Sequence, residues 1–243
     1  MDSSDVAADL AAVATELLAE PTEELTVRSI VNRAVEIVPD AESVSLTVRA
    51  RHDRLRTLAA TDDLAASADE LQVTLGEGPC LDSVQQADSF RSGSVADDPR
   101  WPEWGPGAAA LGVGSLLTVL AYAGSEPRCA LTMYSRREGG FADHDDVELA
   151  ILYATHAANA LATARLVDGL ETAVDSRHQI GLAQGVVMER FGLTVDQSFG
   201  FLRRLSSTTN TKLVEVARTI VETREIPEAA MSKERVAQDR LES

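Results

Sequence analysis

The side chains best suited to contact a ligand lie in the last third of the chain, on one predicted helix. One face of that helix carries four of them at intervals of four, three and four residues: Arg177, Gly181, Gln184 and Met188. Gly185 is a second glycine inside the helix, and each interior glycine costs about 1 kcal/mol relative to alanine. The two glycines therefore indicate that another group approaches the backbone, with a neighbouring helix favoured over a ligand.

A second polar group follows in the next predicted helix and the turn after it. It combines two adjacent arginines with hydroxyl, amide and ammonium groups: Arg203, Arg204, Thr208, Asn210 and Lys212. Arginines beside hydroxyl and amide groups are what contacts with phosphates and base edges need. A solvated helix face with capping residues explains the same residues, and composition alone favours that explanation. Phe191, Phe199 and Phe201 fit core positions better than base stacking.

Residue types for catalysis or metal binding are sparse. The sequence has no Ser/His/Asp arrangement, phosphate-binding loop or nucleotide fingerprint, and its four histidines have no ligand spacing. Cys80 and Cys129 are too few for a disulfide framework and indicate a reducing compartment. Cys80, in a Gly/Pro turn, is a candidate redox trigger, whereas Cys129 falls in a predicted buried strand. We therefore expect no enzyme, no metal and no cofactor.

The negative charge is unevenly distributed. The 243 residues carry a net charge of −17, which taken as a whole argues against nucleic-acid partners and anionic membranes. Residues 1–167 hold 27 Asp+Glu against 12 Lys+Arg, whereas residues 168–226 hold 8 against 7. Local potential therefore leaves nucleic-acid binding open in the C-terminal part. With no secretory signal and no apolar run long enough for a bilayer, we expect a cytoplasmic protein without a membrane partner.

Hydrophobic periodicity predicts an α+β domain followed by helices. Helical spacing occurs over 6–18 and 24–38, and strand patterns occur over 43–49, 55–60, 115–122 and 129–134. The strand at 43–49 is expected to be half-buried. Residues 71–75 also alternate as a strand does, and an irregular stretch rich in turn residues follows at 96–104. Helices flanking an antiparallel sheet make this domain α+β.

One long helix is predicted from 143 to about 190, in preference to two helices that break near Asp168 and Gly169. Its apolar stripe shifts after Leu161 to three residues: Leu166, Leu170 and Val174. The first half is therefore expected to pack on its own domain and the second half to form a coiled coil with a second copy. Thr194 with Gln197 predicts a capping box for the next helix, and Asn210 is expected to cap a third.

These signals divide the chain into four parts: an α+β domain at 1–142, a connecting helix at 143–167, a three-helix module at 168–226 and a tail at 227–243. Within the module, the segment 176–192 resembles the start of an ANTAR domain: SRHQIGLAQGVVMERFG. The resemblance continues through 198–199, 202–205 and 210–217. It implies an RNA-binding transcription antiterminator whose modules act as dimers and grip two RNA hairpin loops, stabilising one RNA fold against a terminator.

The ANTAR resemblance also implies which residues contact RNA. The family's Ala-Lys/Gln-Gly core falls on Ala183, Gln184 and Gly185, so the face with Arg177 and Met188 becomes the expected RNA surface. Gln184 stands where a lysine is familiar; it lacks the charge but keeps amide donors and an acceptor able to read a base edge. Affinity then depends more on the second polar group, Arg203, Arg204 and Lys212 with Thr208 and Asn210.

The N-terminal part resembles a GAF domain, the common sensory partner of this module in actinobacterial regulators. The segments that carry the resemblance are 76–80, 100–102, 112–115 and 141–145. GAF domains bind varied small molecules or none, and the ligand pocket is expected between the sheet and residues 76–104, with Cys80, Trp101 and Trp104 at its rim. Some GAF-type domains reduce free methionine sulfoxide through cysteines, which this sequence does not favour.

Together the two resemblances imply a GAF-ANTAR regulator of actinobacterial type, acting as a cytoplasmic homodimer on hairpin-loop leader transcripts. The alternative is a ligand- or redox-sensing GAF protein whose helical module contacts a protein partner rather than RNA.

Overall fold

The computed structural model describes residues 3–49, 55–121 and 129–225, and the chain divides into two compact units, Met1–Asp168 and Gly169–Ser243. The elements of the first unit, in chain order, are α1 (Ser3–Ala19), α2 (Glu23–Ile37), β1 (Ser43–Arg49), β2 (Leu55–Ala60), α3 (Asp63–Leu75), α4 (Pro79–Gln86), β3 (Phe90–Ser92), α5 (Trp104–Ala110), β4 (Ser115–Ala121) and β5 (Cys129–Ser135). Helix α6 (His144–Phe191) begins in the first unit and ends in the second, which also contains α7 (Val195–Thr209) and α8 (Leu213–Thr223).

The five strands form one antiparallel sheet in the order β2-β1-β5-β4-β3. Alternate residues of β1, Val44, Leu46 and Val48, join a hydrophobic core with α1, α2 and the first part of α6. Helices α3 and α5 cover the other face through a second core. The predicted α+β class is confirmed, with helices on both faces of an antiparallel sheet.

Strand β1 is buried on both faces, so the expectation of a half-buried strand was wrong. Its polar residues Ser45 and Thr47 are as buried as the apolar residues between them. The polar–apolar alternation of β1 therefore reflects two different interiors rather than one interior and solvent. One face is apolar, and the other holds a buried hydrogen-bond network described below.

Residues 71–75 are helical, which corrects the strand pattern predicted there. They form the end of α3, which Asp62 begins by accepting a hydrogen bond from the Ala65 amide at 3.0 Å. Gly76 ends the helix in a left-handed conformation, with φ of +69°. Five alternating residues are too few to distinguish a strand from a helix, and these terminal residues decide between them. The short elements α4, β3 and α5 were not predicted either.

Helix α6 is continuous from His144 to Phe191, which confirms the predicted long helix. In its first part, the Tyr153 hydroxyl donates to the Ile30 carbonyl of α2 at 2.6 Å. Two residues near the end of the first unit hold the start of α2. Arg165 Nε donates to Glu23 Oε1 at 2.8 Å, and the Glu23 amide donates to Asp168 Oδ2 at 3.2 Å. The last turns of α6 within the first unit are therefore tied to α2.

The second unit packs the end of α6 with α7 and α8 around one core: Ala183, Val187, Phe201, Leu202, Leu205, Val216, Ala217 and Ile220. Helix α7 opens with the predicted capping box between Thr194 and Gln197. The prediction that Asn210 caps α8 was wrong. Asn210 ends α7 in a left-handed conformation, which asparagine tolerates. Lys212 precedes α8 instead. The predicted tail at 227–243 lies outside the described residues.

Candidate functional site

A buried carboxylate lies in the first unit between the sheet and α3. Asp69 is 1% exposed, and three hydroxyl groups donate to it: Tyr134 Oη at 2.8 Å, Ser45 Oγ at 3.0 Å and Thr57 Oγ1 at 2.8 Å. Burial raises the pKa of Asp69 to about 6, while these hydroxyl donors oppose the rise by stabilising the charged form. A carboxyl group in this position changes its charge close to neutral pH.

Replacing Asp69 with asparagine is expected to flatten the pH dependence of stability. Because the folded-state pKa of about 6 lies above the ordinary 3.8, the folded state binds the proton more tightly, and stability falls as pH rises. Between pH 5 and 7.5 the loss of stability from this group is on the order of 1 kcal/mol. Asparagine stays neutral, and its amide can donate to the Thr57 hydroxyl, so this loss disappears.

Urea unfolding at both pH values measures this difference. The tryptophans Trp101 and Trp104 are the chain's two, and both lie in the first unit, so their fluorescence follows that unit alone. Glu70→Gln, at an exposed carboxylate on the same helix, serves as the control. An unchanged pH dependence in Asp69→Asn would show that the Asp69 carboxyl does not titrate in this range.

Cys80 belongs to the same network and is fully buried. Its sulfur accepts from Gln72 Nε2 at 3.1 Å and lies 3.0 Å from Thr132 Oγ1. Burial, followed by the nearby charge of Asp69, raises the pKa of the Cys80 thiol to about 12. The thiol is therefore protonated at neutral pH, which disfavours nucleophilic chemistry. Cys129 is also buried, in the core on the opposite face of the sheet.

Trp101 and Trp104 are core residues rather than residues at the rim of a pocket. Both side chains have no exposed surface, and their rings meet edge to face at 5.7 Å. The indole of Trp101 donates to Asp82 Oδ2 at 2.8 Å, and that of Trp104 donates to the Ala68 carbonyl at 3.0 Å. Cys80, the third residue predicted at the rim of the pocket, also has no exposed surface.

All ten residues predicted to contact RNA lie in the second unit. Eight of them are exposed, and Gln184 and Met188 are half-buried. Leu170 and Val174 precede Arg177, Gly181 and Met188 at helical spacing, so all five share one α6 face, which flanks the residues buried in the core of the unit. This face carries apolar residues first and then the predicted RNA-contacting residues.

The two interior glycines of α6 have open space above them. A side-chain carbon added at Gly181 or Gly185 would meet no atom within 4 Å among the described residues. The neighbouring helix favoured at sequence level is therefore not found in the described chain. The cost of two glycines in a helix indicates that a group other than the described residues approaches the backbone there.

Gln184 is tied to the start of α7. Its Nε2 donates to the Val195 carbonyl at 3.1 Å and to Ser198 Oγ at 3.2 Å. Ser198 is fully buried and donates its own hydroxyl proton to the same carbonyl at 2.7 Å. No local sequence pattern could predict these contacts, because they join residues 11 and 14 positions apart on two helices.

The sequence profiles of two families match this architecture. The profile described as the GAF domain matches residues 20–162, which is more than half of the chain. The chain belongs to the GAF domain family. The profile described as the ANTAR domain matches residues 168–221, so the chain carries a GAF domain followed by an ANTAR domain.

Solved structures share the fold of the GAF domain. The GAF domain of an Acinetobacter phosphoenolpyruvate-protein phosphotransferase is 12% identical and covers 70% of this chain and 99% of its own, with a TM-score of 0.55. The corresponding domain from Coxiella burnetii is 19% identical over the same shares, with a TM-score of 0.53. These likenesses show the fold alone. A comparison with curated proteins finds no significant relative.

A structure of an enzyme also shares the GAF fold. Free methionine-R-sulfoxide reductase from Neisseria meningitidis, solved with its substrate, is 15% identical, covers 65% of this chain and 89% of its own, and has a TM-score of 0.52. That identity carries no activity to this chain. Both domains found here are of regulatory and sensory types, and the buried, protonated Cys80 offers no ready nucleophile.

Sequence reasoning missed one exposed aromatic residue of the ANTAR domain. Phe199 is 42% exposed, although it was expected in the core, whereas Phe201 is buried and stacks at 5.5 Å on Phe191. The signal was present in α7, because the buried residues Ser198, Phe201, Leu202 and Leu205 leave Phe199 to one side of their face. Arg203 follows it by one helical turn and is exposed too. An exposed ring beside an arginine is suited to stacking on bases.

Two hydroxyl groups of the ANTAR domain form hydrogen bonds within the domain. The Thr209 hydroxyl donates to the Leu205 carbonyl at 2.8 Å and the Ser206 hydroxyl donates to the Thr211 carbonyl at 2.6 Å, so these hydroxyls stabilise the α7–α8 turn. Thr208, Asn210 and Lys212 are exposed on the same turn.

Across residues 3–49, 55–121 and 129–225, we find no helix long and apolar enough to cross a membrane and no cluster of three or more metal-binding side chains.

Proposed function

We propose that this protein is an RNA-binding transcription antitermination regulator of the kind that its sequence resembles in actinobacteria. In this proposal, a cytoplasmic homodimer binds paired RNA hairpin loops through its ANTAR domains, and the GAF domain senses a signal that controls this binding. One observation carries the proposal: within the ANTAR match, α6 has two exposed interior glycines without a described neighbour, Gly181 and Gly185, and Gly181 lies on the face that also carries Arg177.

RNA suits this surface for physical reasons. A polyanion with protruding bases needs cations, hydrogen-bonding groups and space close to the helix backbone. Arg177, Arg203 and Lys212 supply exposed cations, while Gly181 and Gly185 leave the backbone of α6 accessible. The ANTAR domain is nearly neutral despite the charge of −17 on the whole chain, so its local potential does not oppose a polyanion.

The exposed apolar residues of α6 support the proposed dimer. The residues of α6 buried against the GAF domain end at Leu161, and from there the apolar residues are exposed: Leu166, Leu170 and Val174. A soluble helix that exposes large apolar side chains at helical spacing is suited to pairing with a second copy. In this proposal, the signal changes the pairing or register of α6, with Arg165 and Asp168 holding α2 to that helix.

A gel shift with RNAs that carry two adjacent hairpins with randomised loops tests the proposal. We expect the full chain to bind a subset of these RNAs, with an affinity that falls as salt rises. Changing Arg177, Gln184 and Arg203 together to alanine should reduce the affinity and make it less dependent on salt, because two phosphate-binding cations are removed. Arg218→Ala removes an exposed cation of α8 outside the predicted surface and is the control. Unchanged binding by the triple variant would exclude this surface.

Contact with a protein partner is the second candidate, and exposed apolar side chains of the ANTAR domain favour it. Leu182, Val195 and Phe199 are all exposed. The same gel shift separates the two functions, because a protein-binding surface gives no salt-dependent complex with any hairpin RNA in the pool.

A further inference from the structure

The orientation of the Gln184 amide is determined by its neighbours. The Val195 carbonyl oxygen can only accept a hydrogen bond, so the amide nitrogen of Gln184 must be the group that faces it at 3.1 Å. Ser198 Oγ gives its one proton to the same carbonyl and therefore acts as an acceptor toward Gln184 at 3.2 Å. Each of the two amide protons of Gln184 thus has an acceptor inside the ANTAR domain.

What Gln184 presents outward is its carbonyl oxygen. Within the described residues, Oε1 of Gln184 has no hydrogen-bond partner. Among the same residues, no buried side-chain nitrogen or oxygen lacks a partner, so this oxygen reaches solvent. Gln184 lies on the α6 face that carries Arg177, two turns before it, and Met188, one turn after it.

We infer that Gln184 selects a hydrogen-bond donor on the bound RNA through its carbonyl oxygen. This inference rests on the proposed RNA-binding function. The donor is a base amino group or a ribose 2′-hydroxyl, whereas a phosphate, which has only acceptors at neutral pH, is disfavoured beside this oxygen. The expectation that Gln184 reads a base with both donors and an acceptor is thereby narrowed to the acceptor.

Ser198 is the positioning residue in this inference. Its buried hydroxyl accepts the second amide proton of Gln184 and so fixes which end of the amide faces outward. A lysine at position 184 would have the opposite hydrogen-bond polarity, because an ammonium group only donates. The RNA chosen by this chain should therefore differ at the contacted nucleotide from one chosen by a chain with lysine there.

Atomic substitution of the RNA tests the inference. The probe is the tightest binder selected by the full wild-type chain from the randomised two-hairpin pool. Each loop nucleotide is then replaced in turn by a base that lacks its amino group, or by its 2′-deoxy form. We expect one such replacement to weaken binding to the wild type by about 5-fold to 10-fold, the effect of one lost hydrogen bond.

The variant Gln184→Lys should show less than about a 2-fold loss at that same replacement, because it lacks the acceptor whose hydrogen bond is being deleted. Gln184→Met removes the oxygen without adding charge and should show the same small loss of affinity. Ser198→Ala should weaken the discrimination, since it frees one amide proton and lets the amide turn. Circular dichroism checks that each variant keeps its helices, and Arg218→Ala is the control that should retain the wild-type pattern.

The two kinds of replacement identify the donor on the RNA. If affinity falls only with an amino-deleted base, the donor is a base amino group; if it falls only with a 2′-deoxy nucleotide, the donor is a ribose hydroxyl. Equal losses in the wild type and in both Gln184 variants at every position would overturn the inference while leaving RNA binding intact. A wild-type chain that selects no RNA from the pool would instead overturn the proposed function.

Discussion

Changing both Leu170 and Val174 to glutamate is expected to make the protein monomeric and to weaken its RNA binding by about 100-fold or more. The two side chains are 58% and 64% exposed and lie one turn apart on α6. Four glutamates facing one another across a helix pair would repel, and the apolar area that favours association would be lost. Because each ANTAR domain is proposed to hold one of two hairpin loops, a monomer loses the gain in effective concentration that linkage gives.

Sedimentation of the full chain measures the oligomeric state, and the gel shift measures affinity for the two-hairpin RNA. Val73→Glu is the matched control, because Val73 is 50% exposed and lies on α3 of the GAF domain rather than on α6. It should leave both measurements unchanged. A wild-type chain that sediments as a monomer, or a double variant that remains dimeric, would contradict the proposed pairing of α6.

The elements read correctly from sequence are those whose signals are local. The capping box of Thr194 and Gln197 needs only residues three apart, and α6 was predicted because its residues include no proline. The buried strands β4 and β5 are likewise apolar runs bounded by turn residues. The prediction for the short segment 71–75 was wrong, because a local pattern of five residues fits both a strand and the last turn and a half of α3.

The buried network of the GAF domain depends on contacts that no local pattern contains. Asp69 lies on α3, but its hydrogen-bond donors come from β1, β2 and β5, which meet only in the folded sheet. In sequence, Asp69 is one acidic residue among many on an acidic chain. The alternating Ser45 and Thr47 suggested solvent on one face of β1, because polar residues in a strand are usually exposed. Here that face is an interior of hydroxyl and carboxyl groups.

The candidate RNA surface was predictable in outline and not in detail. Spacing placed Arg177, Gly181, Gln184 and Met188 on one helix face, and the structure has them on one helix. Spacing could not show that Gln184 donates both amide protons to α7, since that depends on how two helices pack. It also missed the exposed ring of Phe199, because an aromatic residue near an apolar face is more often buried.

Replacing Gly185 with alanine is expected to stabilise the fold and weaken RNA binding at the same time. Nothing described lies within 4 Å of a side-chain carbon built at Gly185, so alanine fits and should stabilise the helix by about 1 kcal/mol. The same methyl group would lie where the proposed RNA contacts the backbone of α6. We expect at least about a 10-fold loss of affinity, since displacing a close contact forfeits its hydrogen bonds and packing.

A variant that is more stable and yet binds RNA less tightly has lost a binding contact, because a folding defect would lower its stability. Hydrogen exchange of α7 and α8 in the full chain should slow in Gly185→Ala, because it reports the opening of the ANTAR domain. Gly169→Ala is the matched control: Gly169 also lies inside α6 with no described atom within 4 Å of an added carbon, yet outside the predicted RNA surface. It should stabilise α6 similarly and leave RNA affinity unchanged.

Two results would contradict this role of Gly185. If Gly185→Ala binds the two-hairpin RNA as well as the wild type does, the open backbone is not an RNA contact. If the variant sediments as a monomer, Gly185 serves the pairing of two α6 helices, which also approach closely over small residues. The second result would extend the dimer contact from Leu170 and Val174 along α6. Phe199 and Arg203 of α7, which are exposed, would then be the candidate RNA surface.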